Sequence, residues 1–76
     1  MALVNIQLTP SYTSVLSVAE NVSGALIQVR GGAAEICFEE KADDKLIGIA
    51  VVGTIEIPPG VEIFAKGSGT LVVSSH

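Results

Sequence analysis

The 76-residue chain carries eight acidic against four basic side chains, a formal charge of −4, and is 49% apolar with only 16% charged residues. One domain is the most this length supports, since two would each approach the lower size at which a core outweighs chain entropy. The acidic balance argues against binding a phosphate backbone, and the single cysteine, Cys37, excludes an internal disulfide or a multi-thiolate metal site. The longest apolar run, Leu46 to Gly53, is eight residues, far short of the ~20 a membrane-spanning helix needs. The opening "MALVNIQLTP" has no basic segment ahead of a long apolar region, so no signal peptide is read and the expectation is a soluble protein in the cytoplasm of the producing cell.

Periodicity two dominates in chain order. In "ALVNIQL", Val4, Ile6 and Leu8 fall on one face with Leu3, Asn5 and Gln7 on the other, which predicts a half-buried strand ended by Pro10. "YTSVLSV" predicts a second strand with Tyr12, Ser14, Leu16 and Val18 on one face. Residues 14–22 could instead line Val15, Val18, Ala19 and Val22 along one helical face, the one stretch where a helix competes. "ENVSG", Glu20 to Gly24, reads as a turn.

"ALIQVRGGAAEICFEE" has the form of a β-hairpin, with Gly31 and Gly32 supplying a tight turn between two alternating runs. "EEKADDK", Glu39 to Lys45, is the most charged stretch and predicts an exposed loop. "LIGIAVV" scarcely alternates, which predicts a strand buried on both faces or lying at a subunit contact. The rest predicts strands at Thr54–Ile57, Val61–Lys66 and from Thr70 to about Ser74, with corners at Pro58-Pro59-Gly60 and a hairpin turn at Gly67-Ser68-Gly69. The fold expected is all-β, a small sandwich or barrel of about 6–8 short antiparallel strands.

Little in the chain points to chemistry. Glu39, Glu40, Asp43 and Asp44 could gather oxygens for a hard cation, but their spacing is not that of a calcium loop and Lys41 and Lys45 are interleaved, so a solvated loop is preferred. Cys37 sits between Ile36 and Phe38 with no base near it in sequence, and the sole histidine, His76, stands at the last position, where fraying is expected. The serines have no His or Lys constellation around them. Glu56 and Glu62 alternate with aliphatics and are expected to face solvent. No catalytic residue, cofactor or metal is therefore expected. Phe38 and Phe64 read as core or interface anchors, and Tyr12 as a possible partner contact.

A β-domain of this size without disulfide or metal is expected to draw stability from association, which also covers strand edges. The residues expected to meet partner chains are Leu46, Ile47, Ile49 and Val51, together with Phe64, Leu71 and Val73. The segment "PPGVEIFAKGSGTLVVSS" carries Pro59, Gly60, Ile63, Phe64, Ala65, Gly67, Gly69, Thr70, Leu71, Val72 and Val73 in a pattern that resembles the C-terminal ends of small β-structured virion proteins of tailed bacteriophages, over about a quarter of the chain. That resemblance implies a capsid decoration or cement protein, or a fibre component. It would act as a homo-oligomer, with a trimer favoured, and would sit on the virion against other virion proteins such as the major capsid protein. The alternative is a receptor- or ligand-binding module whose Tyr12, Arg30 and Lys66 touch a cell-surface group. Nucleic acid and membrane are not expected partners.

Overall fold

Apolar side chains at every second position favour strands buried on one face, and eight strands form where that alternation runs. They are β1 (Ala2–Gln7), β2 (Thr13–Leu16), β3 (Ala25–Arg30), β4 (Ala34–Cys37), β5 (Ile49–Ala50), β6 (Thr54–Ile57), β7 (Ile63–Gly67) and β8 (Thr70–Ser75). The computed structural model of the chain describes residues 2–38 and 45–76. The expected charged loop lies, except for Lys45, outside the described residues. The helix that competes over residues 14–22 is not formed: Thr13–Leu16 is strand and residues 18–20 are a turn.

The strands make two four-stranded antiparallel sheets, ordered β1-β8-β3-β6 (sheet 1) and β2-β7-β4-β5 (sheet 2). The fold is all-β as expected, and of the two architectures the sequence allowed, sandwich or barrel, it is the sandwich. Its winding is more specific. The first half of the chain pairs with the second as β1 with β8, β2 with β7, β3 with β6 and β4 with β5. An eight-stranded ribbon of this pairing, wound so that strands alternate between two sheets, is a jelly roll.

Two expected hairpins are corrected by this winding. β3 and β4 do not pair with each other, nor do β7 and β8, because each pair is one long strand bent from sheet 1 into sheet 2 or back. The β3–β4 strand runs antiparallel to β7–β8 on both sides of the bend, with Arg30 opposite Thr70 in sheet 1 and Ala34 opposite Gly67 in sheet 2. The ladder continues through the bend, where Ser68 N–H donates to Ala33 O at 2.9 Å, and on the other side of the same bend Gly67 N–H donates to Thr9 O, between β1 and β2, at 2.8 Å. Gly31-Gly32 and Gly67-Ser68-Gly69 are thus corners of a folded sheet. Turn residues look the same in sequence whether the chain returns beside itself or crosses to another layer.

The core lies between the sheets. Ile27 and Leu71 from sheet 1 meet Ile36 and Ile63 from sheet 2 as its largest enclosed aliphatics, each contributing about 2 kcal/mol through apolar area removed from water. At the end opposite the corners the open mouth is crossed by two connections, residues 17–24 and 58–62. Asn21 joins them: its Nδ2 donates to Pro58 O at 2.8 Å and Val61 O at 2.9 Å, and its own carbonyl accepts from Gly60 N–H at 2.8 Å. The C-terminus is tied down and not frayed, since His76 N–H donates to Gly24 O at 3.0 Å.

Candidate interaction surface

"LIGIAVV" forms only a two-residue strand, Ile49–Ala50, on the edge of sheet 2. Gly48 explains part of this: a Cβ there would press on the carbonyl of Ile36 and on the Tyr12 hydroxyl, so the segment lies too close to its neighbours to take a side chain at that point. With so short an edge strand, the margin between β5 and β6 stays open. Ile49 stands opposite Ile36 and so faces the sandwich interior, yet it is 54% exposed because no strand lies beyond it among the described residues.

The opening is a cleft of about 480 Å³ whose walls include Phe38, Ile49, Ile55, Pro58 and Val61, with Glu56 the one charged residue lining it among the described residues. Phe38, Ile47 and Val52 are also exposed, Ile47 at 86% and Val52 at 82%. Single exposed aliphatics are ordinary, but several in one segment, with one of them lining an apolar cleft, make this a candidate association site.

The seven residues expected at partner contacts divide. Leu46, Ile47 and Ile49 are exposed and belong to this margin, and Phe64 is half-buried on the outer face of sheet 2 beside Cys37. Val51, Leu71 and Val73 are buried in the chain's own core, so they are removed from the candidate surface. The reason is strand alternation: Leu71 and Val73 point inward while Val72 between them does not. Phe38, Ile55 and Val61 join Ile49 at the cleft, and only the packing of sheet 1, through β6, beside the β4–β5 edge of sheet 2 brings them together.

A second cluster lies on sheet 2. Tyr12 Oη donates to Leu46 O at 2.9 Å, Lys66 Nζ stands 4.8 Å from the centre of the Tyr12 ring, and the same ammonium is 4.0 Å from Glu35 Oε2. A shallow depression of about 680 Å³ adjoins it, lined by Pro10, Ala33, Glu35 and Lys66 among others. Tyr12 and Lys66 come together as the receptor-binding alternative requires, but their polar ends already contact Leu46 and Glu35. Arg30 belongs to sheet 1, at the corner end of β3.

Cys37 is buried. Glu56 is exposed as expected, and Glu62 is half-buried. Among the described residues no group of three or more His, Cys, Asp or Glu side chains could hold a metal ion, and no helix is long and apolar enough to cross a membrane. No protein-family model, curated protein or solved structure matches the chain.

Proposed function

We propose that this chain is a structural attachment module, which works by seating the apolar β5–β6 margin on the surface of another protein. The observation that carries this reading is the exposure of Ile47, Ile49 and Val52 in one segment whose Ile49 lines the 480 Å³ apolar cleft. Covering such a margin contributes through area removed from water and needs no chemistry. The setting proposed is the particle of a tailed phage, where the module decorates or cements the capsid as one of many copies. That setting rests on the "PPGVEIFAKGSGTLVVSS" resemblance. Jelly rolls also occur in viral capsid domains and lectins, an analogy of fold that favours neither function alone. A receptor-binding role through Tyr12 and Lys66 is the weaker alternative, because both side chains are engaged within the chain.

Co-sedimentation tests the reading. The chain is mixed with assembled shells of the capsid protein encoded nearest its own gene; wild type is expected to pellet with them, and the double variant Ile47→Asp, Val52→Asp to remain in the supernatant. Equal pelleting of both would remove the margin from the contact. A gene flanked by metabolic genes would remove the virion setting.

A further inference from the structure

Among the described residues four strands lie at sheet edges: β1 and β6 in sheet 1, β2 and β5 in sheet 2. An edge strand exposes unpaired N–H and C=O groups that can pair with another chain, and natural edges are blunted by shortness, bulges, charge or proline. Three of the four are blunted here. β5 is two residues long. β2 is bulged, its register slipping between Ser14 and Leu16. β6 has four residues, carries Glu56 and runs into Pro58-Pro59. Only β1 lacks every such device: Ala2–Gln7 pairs with β8 over six residues in unbroken register and contains neither charge nor proline.

The chain's charge distribution sharpens the contrast. Neither β1 nor β8, the strand it pairs with, contains a charged residue, although the molecule's net charge is −4 and Glu20 lines the cleft between β1 and β2. Two acidic copies repel unless they meet where neither carries acid, and β1 is such a place.

The parity of the backbone fixes how they could meet. Leu8 N–H donates to Gly69 O at 3.0 Å, continuing the β1–β8 ladder. Hydrogen-bonded and non-bonded pairs alternate along an antiparallel ladder, so the even residues of β1 bond toward β8. The neighbouring ladder agrees: His76 N–H donates to Gly24 O, so even residues of β8 bond toward β3 and its odd residues toward β1. Leu3, Asn5 and Gln7 therefore turn their N–H and C=O groups outward along the edge.

We propose that β1 is a self-pairing edge, on which two copies of this chain join antiparallel about a two-fold axis at Asn5, merging two four-stranded sheets into one. In this register Leu3 bonds with Gln7 of the second copy and Asn5 with the second copy's Asn5, giving about six backbone hydrogen bonds. The side chains agree with the backbone. On the inner face Val4 falls opposite the second copy's Ile6, and these are the two β1 residues already facing the core positions Val73 and Leu71. Val4, 46% exposed in one chain, is covered by an aliphatic in the pair. The edge is separate from the β5–β6 margin, so a two-fold pair leaves two margins open for attachment, and the proposal stands or falls apart from that function.

Cross-linking of the full chain tests the register. Opposed residues of a bonded antiparallel pair lie about 5.5 Å apart at Cα, within the range a disulfide spans. Asn5→Cys is expected to give a covalent dimer on mild oxidation. Leu3→Cys is expected not to, but to cross-link when mixed with Gln7→Cys, while wild type, whose one thiol is buried, does not react. Asn5→Pro separates fold from pairing, because the N–H it removes points outward and belongs to no ladder within the chain, a tolerated place for proline. It is expected to leave circular dichroism unchanged and to halve the mass measured by light scattering, and Asn5→Lys to do the same by setting like charges across the axis. A wild-type monomer at high micromolar concentration, a trimer, open-ended growth by β1 on β6, or a dimer in which Asn5→Cys stays unlinked would each overturn the proposal.

Discussion

Tyr12 donates its phenol proton to the carbonyl of Leu46 over 2.9 Å, although the two residues are 34 positions apart and lead into opposite edge strands of sheet 2. Tyr12 precedes β2 on one edge, and Leu46 precedes β5 on the other. The side chain thereby pins the segment that carries Ile47 and Ile49. Without this bond that segment has only a two-residue strand and its neighbours to hold it.

Tyr12→Phe keeps the ring, and with it the Lys66 contact, but removes the donor. The expected loss is about 1 kcal/mol of stability, seen as a lower midpoint in urea. Backbone exchange should rise locally at residues 46–50 and not across the core strands. Uniform acceleration over both sheets would mean that Tyr12 supports the whole fold and not this margin.

Asn21 is the buried polar residue at the mouth, with a relative exposure of 0%. Its Nδ2 satisfies two carbonyls that have left the strand ladders, those of Pro58 and Val61. Asn21→Ala deprives both carbonyls of their donor and opens a void, for a cost of about 3 kcal/mol. Asn21→Leu fills most of the void and leaves the carbonyls unmet, so the difference between the two variants isolates packing from hydrogen bonding. Part of the loss is offset in either variant, because Asn21 Oδ1 is itself buried without a hydrogen-bond partner. Thermal unfolding of both variants measures these amounts; a loss well below 1 kcal/mol in each would show that the mouth is closed by other contacts.

The turn that leads into Asn21 is held by Ser17 and Glu20. Ser17 N–H and Oγ–H donate to Glu20 Oε1 at 3.0 and 2.8 Å. These bonds, the backbone one first and the hydroxyl second, hold the Glu20 carboxyl below the ordinary carboxylate range. A folded value below the unfolded one means that the native chain takes up the proton less readily. The stabilisation is then complete above the ordinary carboxylate value and disappears as pH falls through the depressed one. Glu20 is fully exposed, so the effect is small. Urea midpoints measured against pH should show wild type above Glu20→Gln at neutrality, with the gap closing in acid; a gap independent of pH would assign it to side-chain shape.

Strand existence was legible because it depends on local alternation: Thr54–Ile57 and the runs after Val61 and Thr70 stand within a residue or two of where the pattern puts them. Sheet membership was not legible. Gly31-Gly32 and Gly67-Ser68-Gly69 have the composition of hairpin turns, and only the pairing of β3 with β8 and of β4 with β7 makes them corners. The same gap limits the surface. Leu46, Ile47 and Ile49 could be found as apolar residues in a strand too poor in alternation to be ordinary, whereas Ile55 and Val61 join them only through β6 and the mouth. Asn21 was hidden in a turn-forming cluster, although Ser17 and Glu20 stand at the Ser-x-x-Glu spacing that marks a reciprocal hydrogen-bonded turn.

The corners make a prediction of rank order. Gly67 has φ +147°, where an L side chain is strained, and a Cβ there would collide with the carbonyl of Ala33 and stand 2.9 Å from the Cα of Ala34. Neither can give way, since Ser68 N–H bonds that carbonyl and Ala34 is opposite Gly67 in the ladder. Gly31, on the facing corner, also has a positive φ, +74°, but a Cβ there meets nothing within 4 Å. Gly31→Ala should therefore cost about 1 kcal/mol, the backbone term alone. Gly67→Ala should cost about 3 kcal/mol or more, because the two bent strands must separate to admit it. Chemical denaturation of the two variants side by side measures the order; equal losses would show that the strands at the corner are not pressed together, and the folded-sheet account of the jelly roll would need a looser bend.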